Sequence, residues 1–200
     1  QEALYERIST GRRQRLHQQI GGRIEQGYGD QATEIAGELA MHFERGRAYA
    51  KAVHYHHGAG ENAARRNAQR EAIEHISTGL VLFDLLPDTT ERTQQELTLQ
   101  VTLGELLTTV KGFGVPEVAR AFARALELCR QPTETPQLFR ALLGLWTFYV
   151  ERAELATAHE VAARLLQLAH TVQSGRLLVW AHLSLGITLH FQGDQVGARH

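Results

Sequence analysis

His54-Tyr55-His56-His57 is the densest group of side chains able to titrate near neutrality or hold a metal. On a helix, His57 and Glu61 stand four apart and His54 three before His57, so one face could share an ion. A metal site needs three or four convergent ligands held by further hydrogen bonds. The same spacing describes a polar helix face with Tyr55 turned to the core, and that is the expectation; no metal is expected. His159, His170, His182 and His190 are scattered singly. Ser77, Ser174 and Ser184 lack a nucleophile-elbow motif, and Cys129 follows Leu126-Glu127-Leu128 as a core or half-buried thiol. Lys51 and Lys111 are the only lysines, and neither stands in a Gly-x4-Gly-Lys phosphate loop. Gly58-Ala59-Gly60 sits inside a helical pattern with no strand before it, which suits a close helix contact rather than a dinucleotide. Glu151 and Glu154 flank a helix junction, where solvated caps explain them. Nothing here points to catalysis, ATP hydrolysis or a cofactor.

Composition narrows the field further. The 200 residues hold 21 basic and 22 acidic groups, a formal charge of −1. Phosphate binding needs an excess of Lys and Arg, so nucleic acid is not the expected partner. Arg12-Arg13-Gln14-Arg15 lacks interleaved aromatics and suits an interdomain contact or solvation. The lone cysteine excludes an internal disulfide framework and a cysteine-based zinc site. No run approaches the ~18 apolar residues of a membrane span, so no membrane is expected. The chain opens on Gln1-Glu2-Ala3-Leu4-Tyr5 without an initiator Met or signal peptide, as a cytoplasmic piece of a longer protein would.

The elements that carry these residues are helical. Apolar residues recur at three and four in Leu138, Leu142, Leu145, Trp146, Tyr149 and in Val161, Leu165, Leu166, Ala169. Alternating strand patterns and Asn-Gly or Asp-Gly hairpin turns are absent. Pro87 stops one helix, Pro116 opens another, and Thr135-Pro136 suits an N-cap with a first-turn proline. Asp88 with Glu91 resembles a capping box, and Asp30 is placed to cap the helix after it. Helices are predicted near 2–8, 10–27, 31–45, 49–66, 69–86, 90–111, 116–130, 136–151, 154–172 and 176–192, with another cut off at the C-terminus. Connections of two to five residues force neighbours to pack antiparallel.

The pattern also repeats. Leu145, Trp146, Tyr149 and Ala158 precede Leu185, Gly186, Leu189 and Ala198 by 40 residues. Leu103-Gly104 precedes Leu145-Trp146 by 42, with Phe122 and Ala125 following, and Leu39-Ala40-Phe43 with Ala52 and Ala59 is a third echo. Small residues let two helices approach and large ones fill the gaps, as in a helix-pair solenoid.

Leu185-Gly186-(x2)-Leu189-(x3)-Gly193-Asp194-(x3)-Ala198 resembles the tetratricopeptide repeat, with Leu39-Ala40-(x2)-Phe43 and Leu145-Trp146-(x2)-Tyr149 as weaker copies. Ala3-Leu4-Tyr5-Glu6 with Arg12 and Leu16-His17 resembles the exit from the winged-helix region of bacterial signal-transduction ATPases with numerous domains. Glu38-Leu39-Ala40-(x1)-His42-Phe43 and Ala72-Ile73-Glu74-His75 resemble the helices that follow it. Gly114-Val115-Pro116-Glu117-Val118, Thr135-Pro136-Gln137-Leu138-Phe139 and Gly144-Leu145-Trp146-(x1)-Phe148-Tyr149 resemble the helical region of large ATPases that accompany adenylate or guanylate cyclase or transcription-regulator domains. The resemblance implies an all-α, right-handed superhelix of tetratricopeptide-like pairs with a period of about 40. It implies linking helices over 1–29, after an upstream domain, and repeats over 30–200 truncated at the C-terminus. It implies a non-catalytic regulatory module that binds a protein or an intramolecular switch domain, with a small-molecule effector as the alternative.

In such a solenoid the first helix of each pair lines the concave face. Transferring the tetratricopeptide lining positions selects Arg140, Thr147 and Glu151, then Trp180, His190 and Phe191. Arg can grip a carboxylate or phosphate and Trp can stack on a ring. Trp180 and Phe191 could equally pack against a following repeat.

Overall fold

The computed structural model describes residues 9–129, 135–194 and 197. Among these residues there are helices and turns and no strand. The helix expected at 2–8, the side chain of Thr135 and the helix after Asp194 lie outside the described residues. The chain forms two compact units, Gln1–Arg92 and Thr93–His200. The first holds α1 (Thr10–Tyr28), a 3-10 segment (Gly29–Ile35), α2 (Ala36–Arg45), α3 (Tyr49–Arg65), α4 (Gln69–Leu82) and a 3-10 turn (Phe83–Leu85). α5 (Thr90–Lys111) begins at its end and continues in the second unit, followed by α6 (Pro116–Leu128), α7 (Thr135–Glu151), α8 (Leu155–Thr171) and α9 (Gly175–Gln192). The architecture is all-α; α1 to α4 pack against one another in chain order, as do α6 to α9.

One turn design recurs at four of the helix connections. Arg47, Asn67, Ala153 and Gln173 all take left-handed backbone, with φ of 58°, 60°, 56° and 50°. The next residue's N–H reaches back across the helix end: Ala48 to Phe43 O at 2.8 Å, Ala68 to Ala63 O at 2.9 Å, Glu154 to Tyr149 O at 2.9 Å and Ser174 to Ala169 O at 3.4 Å. This is the Schellman closure, which satisfies carbonyls the helix itself leaves open. Gly193 repeats it with φ of 86° and Asp194 N–H on Leu189 O at 3.0 Å. The positions fall 20 apart (47 and 67, then 153, 173 and 193), so the 40-residue period is two helix-plus-turn steps.

Helix boundaries differ from expectation where a side chain competes for a backbone group. Residues 29–35 are 3-10 rather than α. Thr33 O accepts Ala36 N–H and also Asn62 Nδ2 from α3, at 2.5 Å, which displaces the usual helical bond. Asp30 therefore lies inside the 3-10 segment's first turn and caps no α-helix. α4 ends at Leu82, and Leu86 is extended because Pro87 follows it. The cap of α5 is Thr89, whose Oγ1 accepts Arg92 N–H at 3.1 Å, and not Asp88 in a box with Glu91. Pro116 is the first residue of α6, where its missing N–H costs nothing.

In the first unit the seams are lined by small residues: Ala36, Ala40, Ala52, Ala63 and Ala72 are wholly buried. Gly60 lies under Ile76, and a Cβ there would come within 2.7 Å of Ile76 Cδ1. Across this core Phe43 and Tyr55 stack with centroids 5.5 Å apart. Tyr55 OH donates to Glu25 at 2.8 Å, and Lys51 Nζ pairs with the same carboxylate at 2.5 Å. Burial, then the Glu25 hydrogen bond and charge, push the Tyr55 phenol up to about 12. Burial alone would raise Glu25, but its bonds from Lys51 and Tyr55 hold it below the usual carboxylate range.

The second unit turns on Phe122 of α6. A Cβ on Gly104 of α5 would lie 2.6 Å from Phe122 Cε1, and a Cβ on Gly144 of α7 would overlap Cε2 of the same ring. The ring fills a slot between two glycines 40 residues apart. Gly104 thus corresponds to Gly144, not to Trp146 at the expected offset of 42. Alanine at either glycine should lower stability by about 1–3 kcal/mol in urea unfolding, despite being ~1 kcal/mol better in a helix. Adding Phe122→Leu should recover part of that loss, and a neutral Gly144→Ala would refute the slot. Ala153→Gly should instead stabilise by about 0.5–1 kcal/mol, because position 153 is left-handed.

Candidate functional site

The second unit carries a groove between α7 and α9, the first helices of successive pairs. Their approach is set by small and hydrogen-bonding residues. Ala141 and Ala181, 40 apart, are wholly buried. Trp146 Nε1 donates to Thr188 Oγ1 at 2.9 Å, tying α7 directly to α9. Thr188 is itself fully buried, and its hydroxyl donates to Ser184 O at 2.8 Å, so the oxygen faces the indole with its lone pair.

At the N-terminal ends of these helices the groove opens into a cavity of about 480 Å³. Pro136, Phe139, Arg140 and Leu143 line it from α7, and Ser174, Arg176, Leu177 and Trp180 from the start of α9. Phe139 is buried at the wall, whereas Trp180 is 46 % exposed. Arg140 forks onto Glu105 of α5, with Nε donating to Oε1 at 2.7 Å and Nη2 to Oε2. Both side chains are about half exposed, so the pair contributes no more than ~1 kcal/mol and can be exchanged for a ligand's anion. Ser174 Oγ caps α9 by accepting Leu177 N–H at 3.5 Å. The helix's positive end and the exposed Arg176 therefore lie on the same rim. The cavity combines an apolar wall, one aromatic face and two guanidinium groups, which suits an occupant with an apolar or ring-shaped body and an anionic group. A smaller hollow of about 190 Å³ between α7 and α8, lined by Leu142 and Arg164 among others, is below the usual range of roughly 300–1,000 Å³.

Of the six residues selected from the sequence, the cavity brings together Arg140 and Trp180. Thr147 donates to Leu143 O of its own helix at 2.9 Å. Glu151 is the exposed last residue of α7. His190 and Phe191 lie edge to face, 5.8 Å apart, near the end of α9. Eleven residues separate 140 from 151 and 180 from 191, or ~16 Å of helix, so these three stand at the far end of the groove. Sequence reasoning missed Arg176, Phe139 and Leu143. Their signal was the stripe 136, 139, 140, 143, which follows the three-and-four helical step facing the α9 terminus.

Other chemistry-bearing groups take structural places. Lys111 pairs with Glu117 at 3.0 Å, whose carboxyl this bond, the helix-end N–H and the lysine charge hold below its usual range. Cys129 is half-buried. His57 and Glu61 are 3.6 Å apart. His56, however, is buried against α2 and α4 rather than on a polar face. Among the described residues no three His, Cys, Asp or Glu are placed to hold a metal, and no helix is long and apolar enough to cross a membrane.

No family model matches the chain. It is 27 % identical over 148 residues to Uncharacterized protein R02095 of Rhizobium meliloti (strain 1021). That stretch is 73 % of this chain and 14 % of the Rhizobium protein, so the chain spans a small part of that relative. Among solved structures, BtubC (BKLC) from P. vanneervenii superposes with a TM-score of 0.64, covering 96 % of this chain and 87 % of that one. At 13 % identity this likeness concerns the fold alone.

The Trp146–Thr188 bond gives the groove a testable hinge point. Thr188→Val leaves the indole N–H without its acceptor and should cost about 1–2 kcal/mol in urea unfolding, whereas Thr188→Ser keeps the acceptor and should cost only the ~1 kcal/mol of one buried methyl group. Equal stability of the valine variant would show that the bond does not hold α7 to α9.

Proposed function

We propose that the chain is a non-catalytic binding and regulatory repeat module of a multidomain signalling ATPase, built of tetratricopeptide-like helix pairs and working in the cytoplasm. The α7–α9 cavity carries this reading. It offers Arg140, Arg176 and Trp180 on a rim assembled from two successive pairs, so an occupant touches both pairs at once. Support comes from the repeat strings ending in Gly193-Asp194 and from a relative many times longer than the stretch it shares with this chain.

The occupant in this reading is a segment of a partner protein or of the protein's own switch domain. Binding exchanges the half-exposed Arg140–Glu105 pair for contacts made only in the occupied state. It thereby shifts the packing of α5, α7 and α9 by the differential affinity of the two arrangements. A small-molecule effector is the second reading, and the cavity volume favours it, since about 480 Å³ is within the range of metabolite sites.

Thermal-shift screening of the chain against metabolites and nucleotides, alongside candidate partner domains, tests both. An occupant at a hundred times its Kd stabilises by about 2.7 kcal/mol. Arg140→Ala should abolish that shift while moving the free protein's midpoint little. Turnover of ATP by this chain alone, or an unchanged ligand shift in Arg140→Ala, would overturn the proposal.

A further inference from the structure

Four of the eleven histidines lie in two pairs inside the first unit. His17 of α1 and His42 of α2 meet Nδ1 to Nδ1 at 3.0 Å, and His17 is only 7 % exposed. His56 of α3 and His75 of α4 meet Nδ1 to Nδ1 at 3.2 Å, and His56 is 6 % exposed. Glu44 of α2 lies 3.0 Å from His56 Nε2. Nitrogen-to-nitrogen contacts therefore cross the α1–α2 and α3–α4 seams, and the carboxylate joins α2 to α3.

A contact of this length needs one N–H and one bare lone pair. In the second pair the hydrogen-bond network assigns every role. The Glu44 carboxylate accepts, so His56 carries its proton on Nε2 and presents a bare Nδ1. His75 must then donate from Nδ1, leaving its Nε2 bare beside the small Gly37 of α2. One added proton can rest on that Nε2 without disturbing the bond. A second added proton sets N–H against N–H, between two cationic rings whose centroids are 5.4 Å apart. The first pair obeys the same rule with rings 5.1 Å apart, and the Arg45 guanidinium of α2 faces it.

We propose that the first unit is a proton-responsive element, in which uptake of protons by the two imidazole pairs at its seams parts the α1–α2 and α3–α4 seams on acidification. Burial, then His42 and Arg45, hold His17 below the ordinary imidazole range. Burial lowers His56 as well, with Glu44 pulling upward and His75 adding to the fall. The unfolded chain thus takes up protons near pH 6.5, before the folded unit does. Stability is full above that pH and is lost as pH falls through the lower folded values. In the second unit His170 and His182 are exposed, with rings 6.4 Å apart. The element is separate from the α7–α9 groove and would add a second input to the module.

Hydrogen exchange of the whole chain at pH 7.5 and 5.0, corrected for intrinsic rates, tests this. Protection across α1–α4 should fall at least several-fold, while α7–α9 hold theirs. The double variant His17→Gln, His56→Gln should lose the pH dependence. If that variant does not fold, imidazole 15N spectra of the natural chain decide. Neutral, single-tautomer rings for His17 and His56 at pH 6.0 support the element. Constant protection across α1–α4, a double variant that keeps the pH dependence, or titration of both rings at or above 6.5 would each overturn it.

Discussion

The second unit is organised around one aromatic ring that two helices can enclose only because they lack side chains where they meet it. Phe122 lies between Gly104 and Gly144, and either glycine with a Cβ would strike the ring. The slot draws α5 and α7 to either side of α6. It also fixes the rotation of α7 about its axis, because only one face carries the glycine. With that face turned to Phe122, the stripe of Phe139, Arg140 and Leu143 is left facing the start of α9. The groove is thus a consequence of core packing, and the Arg140–Glu105 pair spans the same two helices on the surface.

The first unit reaches a similar result with different chemistry. Its seams are closed by alanines and Gly60, but polar groups also cross them: Glu25 to Lys51 and Tyr55, His17 to His42, and Glu44 to His56 to His75. Buried polar contacts stabilise less per residue than apolar ones and depend on every partner being in the right protonation state. The stacked-helix plan tolerates either solution because each helix needs to match only its neighbours.

Most of the helices were legible in the sequence, since apolar residues at three and four and the prolines at 87 and 116 mark them directly. The turns were not. A left-handed closure normally announces itself with glycine or asparagine, as at Gly193 and Asn67, but Arg47, Ala153 and Gln173 give no such sign. The cap at Thr89 and the 3-10 stretch before α2 depended on which hydroxyl or amide reached a backbone group first. In the groove, Arg140 and Trp180 could be placed by repeat register, whereas Arg176 and Phe139 required knowing which stripe of α7 meets α9. His56 looked like part of a polar face because three of its four neighbours in sequence are titratable or hydroxylic; its burial follows from packing by α2 and α4.

Trp180 gives the most direct view of the groove. It stands on the cavity rim and is nearly half exposed, and Trp146 is the only other tryptophan. The part of the natural chain's indole emission that is lost in Trp180→Phe comes from the groove rim. An occupant that raises the melting midpoint should shift that emission to the blue and shield it from acrylamide. Saturable binding that leaves Trp180 emission and quenching unchanged would contradict the groove as the binding surface.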